Sequence, residues 1–213
     1  MKKEKLHSNP DIFVIDDFIS KDACNHFIEL AKPKLARATV SSHKKGIISD
    51  LRTNSNCWID HYHDDITTEI AQKVTDEIGI PVENAEKFQM IHYLESQLYA
   101  PHYDAYDKDN SDRSNRCLRY GGQRIWTCLL YLNDVKEGGS TKFTKLDIEV
   151  EAKMGRILIF ENCHKNHPDQ DNLGKMKNLD SLHTGTSVIK GEKWAFNLWF
   201  REQPISEIWE YPS

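Results

Sequence analysis

Residues 181–200 read SLHTGTSVIKGEKWAFNLWF. Two runs in this segment, Ser187–Ile189 and Trp194–Phe200, are rich in the β-branched and aromatic residues that favour strands. A glycine turn at 190–192 separates the two runs. The segment therefore predicts two paired strands with a tight connection between them.

Similar short β-like runs continue back along the chain to Glu86, separated by Gly, Asn and Asp clusters such as 137–140. No helical pattern lies between them that could serve as a crossover, so a parallel sheet is not expected. This succession of short strands and turns is typical of a β-sandwich or jelly roll. The additional predicted strands are Phe88–Tyr93, Ile125–Leu132, Ile148–Val150 and Ile157–Phe160.

The first third of the chain instead predicts helices. Ser20–Lys32 starts with a capping serine, carries its apolar residues at helical spacing and is closed by Pro33. A second apolar stripe runs over Ile66–Ile78 and ends at Gly79. Short strands are expected at Ile12–Ile15 and around Arg37–Thr39.

These patterns suggest one domain over residues 1–213, with a helix-rich support at 1–85 and a β-rich core at 86–205. The mainly β (α+β) fold class follows from the larger share of strand patterns. Three polar stretches without an apolar period are expected to be loops. They are Ser41–Asp50, Lys108–Arg119 and Asn162–Asn178.

Charge and composition exclude several classes of protein. The net charge of −5 and the pI of about 6.1, without a Lys/Arg stripe, make nucleic acid an unexpected partner. No apolar run of about 18 residues occurs, so no membrane span is expected. The five cysteines include no C-x-x-C pair, which argues against a disulfide scaffold or a zinc knuckle. Reduced thiols in a cytoplasmic protein are the simplest expectation.

A candidate metal site begins with His102-Tyr103-Asp104, where a two-residue period puts the imidazole and the carboxylate on one face. Alone, this triplet fits a solvated turn equally well. His183, 81 residues later beside a predicted strand, supplies a third ligand if an early and a late strand meet. Two histidines and one carboxylate suit Fe(II) and leave about three positions for a bidentate 2-oxo acid and O2.

Other histidines are weaker candidates for a metal site. His61 with His63, and His164 with His167, have suitable spacings but no obvious carboxylate and third ligand in a strand. His92 lies inside a predicted strand, where a structural role is the simpler explanation.

Lys193 is a candidate for binding the far end of a 2-oxo dicarboxylate. It follows His183 by 10 residues across the glycine turn, so the two side chains can face each other on paired strands. In a poorly solvated pocket an ammonium group would bind a carboxylate strongly. An exposed hairpin lysine is the common alternative, and the neighbouring Trp194 favours the buried location.

Segments between Arg52 and Arg201 match one family in order and spacing. Residues 93–104, YLESQLYAPHYD, are similar to Y-x-x-G-Q-x-Y-x-x-H-x-D, and residues 181–194 match S-L-H-x-G-x-x-V-x-x-G-x-K-W. Residues 121–143 are similar to the intervening strands. On these motifs the chain resembles the prolyl 4-hydroxylase branch of the 2-oxoglutarate- and Fe(II)-dependent dioxygenases.

The resemblance implies a double-stranded β-helix (jelly roll, cupin-like) and a role for each matching residue. It implies that His102, Asp104 and His183 bind iron, and that Lys193 and Tyr93 bind 2-oxoglutarate. A proline-containing peptide or protein would be hydroxylated, succinate and CO2 would be released, and L-ascorbate would be an additional cofactor. By the same analogy a homodimer is plausible. The residues that would line the peptide side are Tyr99, Arg124, Trp199 and Arg52.

The sequence departs from the family pattern at four positions without removing a metal ligand. They are Asn54 for Ser, Ser96 for Gly, Ser187 for Pro, and Arg201 where many relatives have His. The departures at Asn54 and Arg201 leave the substrate open. The alternatives are an oxygenase of the same fold that acts on a free amino acid or a lysyl side chain, and a non-catalytic metal-binding interaction domain. A zinc hydrolase is less well supported, because no HExxH pair is present.

Overall fold

A computed structural model describes residues 2–39, 49–167 and 175–205, apart from the side chain of residue 113. The helices are α1 (Lys21–Ala31), α2 (Asp65–Ile78) and α3 (Asp112–Arg119). The strands of the N-terminal part are β1 (Lys2–Ser8), β2 (Asp11–Asp16), β3 (Ala36–Arg37) and β4 (Ser55–Ile59). The later strands are β5 (Phe88–Tyr93), β6 (Tyr99–His102), β7 (Arg124–Tyr131), β8 (Glu137–Gly138), β9 (Thr141–Phe143), β10 (Ile148–Val150), β11 (Ile157–Glu161), β12 (His183–Gly185), β13 (Val188–Lys190) and β14 (Lys193–Arg201).

The strands of the described residues form three antiparallel sheets. The major sheet has the order β1-β2-β11-β7-β14-β5-β4-β3, and the minor sheet has the order β10-β9-β12-β6. A two-stranded sheet, β13-β8, lies beside them. The predicted mainly β fold without a parallel sheet is confirmed.

Two hydrophobic clusters explain this layering. One joins the outer face of the major sheet to α1 and α2, with Phe27, Phe88 and Phe196 at its centre. The other lies between the major and minor sheets and includes Phe143 and Phe160. Alternating side chains along each strand of the major sheet supply both clusters, so the sheet is covered on both faces.

The two predicted helices form at the expected positions. The side chain of Ser20 accepts a hydrogen bond from the backbone N–H of Ala23 and caps α1. Pro33 lies in a short 3-10 turn that follows the helix. Gly79 ends α2 in the left-handed conformation, with φ of 69°. Within the described residues no helix is long and apolar enough to cross a bilayer.

The prediction of a loop at Lys108–Arg119 is wrong over most of its length, because α3 occupies Asp112–Arg119. The Ser111 hydroxyl caps this helix, and Arg201 donates a hydrogen bond to the carbonyl of Cys117 near its end. A helix this short has too few apolar residues to show a period, and it is held by contacts from distant strands.

The other two predicted loops lie partly outside the described residues. Of Ser41–Asp50 only residues 49 and 50 are described, and Asn162–Asn178 lacks 168–174. Asn162 and Asn178, at the ends of the second stretch, are both buried. The ends of this segment therefore belong to the packed structure.

The strand predictions were most accurate for apolar runs. Phe88–Tyr93 and Ile148–Val150 are observed as predicted, and the other apolar runs shift by a residue or two. The first 85 residues contribute four strands to the major sheet in addition to two helices. Several short or polar strands were not predicted from composition, because tertiary pairing defines them. They are β1, β4, β6, β8, β9 and β12.

Candidate metal centre

The three predicted metal ligands converge at one end of the minor sheet. His102 ends β6 and is paired in register with His183, which begins β12. Asp104 lies two residues beyond β6, and each of its carboxylate oxygens is 3.7 Å from the Nε2 atom of one histidine. The ligand atoms of all three residues lie within 4.8 Å of one another, the only such group of three or more found among the described residues.

Both imidazole rings are oriented by a backbone carbonyl two residues earlier. Nδ1 of His102 lies 2.9 Å from the oxygen of Ala100, and Nδ1 of His183 lies 2.9 Å from the oxygen of Ser181. A carbonyl can only accept, so each Nδ1 carries the proton and each Nε2 keeps its lone pair. This arrangement presents two Nε2 donors to a metal.

The charge states of the cluster also suit metal binding. Burial and, to a smaller extent, the neighbouring His183 lower the pKa of His102 to about 3. Burial raises the pKa of Asp104, but His183, His102 and Arg124 outweigh this effect and bring it down to about 2. At neutral pH a neutral imidazole therefore faces a carboxylate, which are the forms that coordinate a metal.

A second buried feature, Lys193, lies at the start of β14 opposite Tyr93 on β5. Lys193 is 3% exposed, and its Nζ lies 5.2 Å and 5.5 Å from the ring centres of Tyr131 and Tyr93. Among the described residues no carboxylate pairs with it. Burial alone lowers its pKa to about 7. A buried ammonium without a counterion is an anion-binding group.

The hydroxyl groups near Lys193 remain protonated. Burial raises the pKa of Tyr93 and of Tyr131 well above the usual value. The Tyr131 hydroxyl donates to Oγ1 of Thr141, whereas no described hydrogen bond uses the Tyr93 hydroxyl. The Tyr93 O–H is thus a neutral donor available beside the buried cation.

Arg124 and Trp199 form one of the two groups predicted to line the peptide side. The Arg124 guanidinium lies 3.7 Å from the centre of the Trp199 ring. Its Nε and Nη2 atoms donate to both carboxylate oxygens of the buried Glu86, each at 2.6 Å. Within the described structure the Trp199 Nε1–H is buried without a hydrogen-bond acceptor. Glu86, the acid that pairs with Arg124, is itself fully buried.

Tyr99 and Arg52 form the other group. The Tyr99 ring stacks on His102 with ring centres 3.5 Å apart, which places it directly beside a metal ligand. The Arg52 guanidinium lies 4.8 Å from the Tyr99 ring and donates to the side chains of Asn54 and Gln89. Asn54, one of the departures from the family pattern, is therefore a partner of Arg52.

The rival histidines do not form comparable sites. The Nε2 atom of His61 is hydrogen-bonded to the backbone oxygen of Glu86 at 2.8 Å, and burial lowers the pKa of His61. The rings of His164 and His167 lie 5.1 Å apart without a third described ligand. His92 stacks on Trp194 and pairs with Glu192, which is a structural role.

The sequence reasoning missed polar side chains that support the site. Glu86 holds Arg124, and Thr127 donates a hydrogen bond to Asp104. Thr127 lies within residues 121–143, which resemble the family, but no ligand motif marks its position. The one available signal for Glu86 was a carboxylate two residues before a predicted strand, where a buried acid needs a cationic partner.

Comparison with known proteins places these features in a family. The family described as the 2OG-Fe(II) oxygenase superfamily matches residues 88–201. Two Arabidopsis thaliana relatives are probable prolyl 4-hydroxylase 7, which is 33% identical, and probable prolyl 4-hydroxylase 10, which is 36% identical. The alignments cover 92% and 93% of this chain, and 64% and 71% of the respective relatives. The chain thus spans just under two thirds of the first relative.

A solved structure is similar over nearly the whole described fold. Viral collagen prolyl hydroxylase from Paramecium bursaria Chlorella virus-1, in its 2OG complex, gives a TM-score of 0.66 at 25% identity. The match covers 89% of this chain and 95% of the viral chain. The predicted double-stranded β-helix is therefore confirmed. With its His-Asp-His cluster and buried lysine, the chain belongs to the prolyl 4-hydroxylase family of 2-oxoglutarate- and Fe(II)-dependent dioxygenases.

Proposed function

We propose that this protein hydroxylates peptidyl proline to 4-hydroxyproline, using Fe(II), 2-oxoglutarate and O2 and releasing succinate and CO2. The observation that carries the proposal is the buried Lys193, which has no carboxylate partner among the described residues, in the same fold as a converging His-Asp-His cluster. The family membership supports it, because the relatives are named prolyl 4-hydroxylases. We also propose that residues 1–213 act as a single catalytic domain, with 1–85 supporting a core at 86–205.

The residues fit the metal and the cosubstrate that the family implies. His102, His183 and Asp104 would hold Fe(II), since two neutral imidazoles and a carboxylate are a donor set for this metal. When bound, Fe(II) supplies the activation of O2 that side chains cannot provide. Lys193 would pair with the distal carboxylate of 2-oxoglutarate, and the Tyr93 hydroxyl would donate to the same group.

The protein itself then binds and orients the metal and the cosubstrate, and it excludes water from them. The ion pair to Lys193 forms in a buried place, where it is stronger than in water. Carbonyls of Ala100 and Ser181 keep both histidine rings in the tautomer that binds metal. The carboxylate of Asp104 remains ionised next to them.

Aromatic and cationic side chains would orient the peptide. Tyr99 beside His102, and Trp199 against Arg124, would contribute aromatic contacts of the type that proline-rich segments make in other proteins. The Trp199 Nε1–H is a buried donor for which a peptide carbonyl would be a suitable acceptor. We assign Arg52 to the same face through its contact with Tyr99.

Four finer assignments complete the proposal. L-ascorbate would maintain the metal in its reduced state, and the protein would act in the cytoplasm, as the free cysteines suggest. A homodimer remains a prediction by analogy. The substrate would be a peptide or protein and not a nucleic acid, because the chain carries a net charge of −5.

The test is mass spectrometry of a peptide panel incubated with Fe(II), 2-oxoglutarate and ascorbate. Prolyl peptides should gain one oxygen atom, and succinate should be formed in equal amount. Lys193→Ala should raise the 2-oxoglutarate concentration for half-maximal rate by about tenfold or more, since a hydrogen bond to a charged group is lost. Metal affinity should be unchanged in that variant, whereas His183→Ala should lose it.

Other outcomes would replace the proposal with one of its rivals. Succinate formed only with free amino acids or lysyl peptides would indicate an oxygenase of the same fold with another substrate. No CO2 release from 2-oxoglutarate under any condition would indicate a non-catalytic metal-binding interaction domain.

A further inference from the structure

Two buried polar side chains connect Asp104 to the major sheet. The Thr127 hydroxyl lies 2.7 Å from Oδ2 of Asp104, and Nδ2 of Asn162 lies 2.8 Å from the Thr127 hydroxyl. Thr127 is on β7, and Asn162 directly follows β11. Both side chains are at most 1% exposed. The proposed reaction gives neither of them a role.

The direction of these hydrogen bonds follows from the chemistry of the groups. A carboxylate can only accept, so the single proton of the Thr127 hydroxyl must point to Asp104. The hydroxyl oxygen then accepts the N–H of Asn162, which discourages rotation of that proton away from Asp104. In the described structure Oδ1 of Asp104 has no hydrogen bond, so this oxygen is available to a metal.

The backbone of Asn162 leads to a second metal ligand. Its N–H donates to the carbonyl of Ile125, and its carbonyl accepts from the N–H of Asn178, both at 2.9 Å. The Asn178 carbonyl in turn accepts the N–H and the hydroxyl of Ser181. The Ser181 carbonyl is the group that orients His183.

We propose that Asn162 is a positioning residue for the metal centre, with its side chain orienting Asp104 through Thr127 and its backbone supporting the turn that presents His183. This inference rests on the proposed function, because it assumes that the His-Asp-His cluster binds a metal. Restricting a ligand before the metal arrives raises affinity, and loss of such supporting groups typically weakens metal binding about 10- to 100-fold. The side-chain contacts of Asn162 can be tested separately from its backbone contacts, because substitutions leave the backbone hydrogen bonds in place.

The experiment measures Mn²⁺ affinity by calorimetry, without O2 or substrate, for a double-mutant cycle. Thr127→Val and Asn162→Leu should each weaken binding about 10- to 100-fold. Because the two side chains act in series, the double variant should be no weaker than the worse single variant. Thr127→Ser keeps the hydroxyl and should bind nearly as tightly as the original protein.

Thr75→Val is the matched control for the loss of a hydroxyl. Thr75 lies on α2, and its hydroxyl has no partner among the described residues, so Mn²⁺ affinity should not change. If Asn162→Leu does not fold, which circular dichroism would show, the comparison of Thr127→Val with Thr127→Ser carries the test.

Two results would overturn the inference: affinities within about twofold of the original protein for Thr127→Val, or independent losses that multiply in the double variant. The failure of the proposed function looks different. In that case the unsubstituted protein binds no Mn²⁺, or His183→Ala binds it equally well.

Discussion

Lys193 illustrates at the scale of one residue how burial prepares a binding site. Its ammonium group is almost inaccessible to water and has no described counterion, so the charged form is costly. The fold tolerates this cost because the group can lose its proton near neutral pH. A dicarboxylate that binds here supplies a counterion and thereby stabilises the protonated form of Lys193.

The affinity for 2-oxoglutarate should therefore depend on pH. Below about pH 7 Lys193 is already protonated, whereas above its pKa binding must be accompanied by uptake of a proton. Linkage then predicts a dissociation constant that rises about tenfold per pH unit above pH 7. Anaerobic calorimetry with the Mn²⁺-loaded protein would measure this slope.

Lys193→Arg is the matched variant for this prediction. A guanidinium stays charged over the whole range, so the dependence on pH should disappear even if the affinity itself changes. A flat profile for the original protein, or the same slope in both proteins, would disprove the role of the lysine proton.

At the scale of elements, α2 shows how local signals define a support for the core. Asp64 accepts the N–H of Thr67, and the Thr67 hydroxyl lies 2.9 Å from the Asp64 N–H, which forms a capping box. Ile70 and Val74 on the same helix are buried against the major sheet. Asp64 also contacts His26 on α1, so the cap joins the two helices.

Asp64→Ala should lower the free energy of unfolding by about 1 kcal/mol, the usual effect of losing an N-cap. Asp64→Asn retains an oxygen acceptor and should lower the free energy of unfolding clearly less. The half-exposed contact with His26 is expected to contribute little. Urea unfolding of both variants would measure the difference, and equal losses would show that the contact with His26, not the cap, matters.

At the scale of the whole molecule, Glu86 connects parts that are far apart in sequence. Its carboxylate pairs with Arg124 at the start of β7 and with Arg201 at the end of β14. Arg201 also donates to the carbonyls of Cys117 and Gly122, which lie in and after α3. Burial raises the pKa of Glu86, but the two arginines reverse the shift and keep the carboxylate ionised.

Glu86→Gln should lower the free energy of unfolding by about 3 to 5 kcal/mol, because two buried guanidinium groups lose their counterion. The exposed Glu83 provides the control, since Glu83→Gln should change stability by no more than about 0.5 kcal/mol. Guanidinium chloride unfolding at pH 7 would compare them. A similar small effect for both variants would mean that the buried cluster adds no net stability.

The stability that Glu86 provides should also depend on pH. Its pKa is lower in the folded protein than in the unfolded chain, so the contribution is complete above the unfolded value. It is lost as the pH falls through the folded value. The original protein should thus lose stability in acid faster than Glu86→Gln does.

Prediction from sequence was most successful where one local rule dominates. Short β-like runs between turn residues located β5 and β10, and capping with helical spacing located α1 and α2. It failed for α3, whose position depends on Arg201 more than 80 residues away, and for polar strands such as β12. Buried partners such as Glu86 were missed because charge pairing between distant residues leaves no local pattern.

The sequence by itself determined the family, the mainly β fold and the identity of the three residues that converge at the candidate metal centre. These depend on residue type and spacing, which motifs record directly. Only the tertiary structure decided that Lys193 is buried without a counterion among the described residues, that Arg124 is held by Glu86, and that Asn162 connects Asp104 to the turn before His183. The reason is physical: burial and hydrogen-bond direction depend on which distant segments pack together.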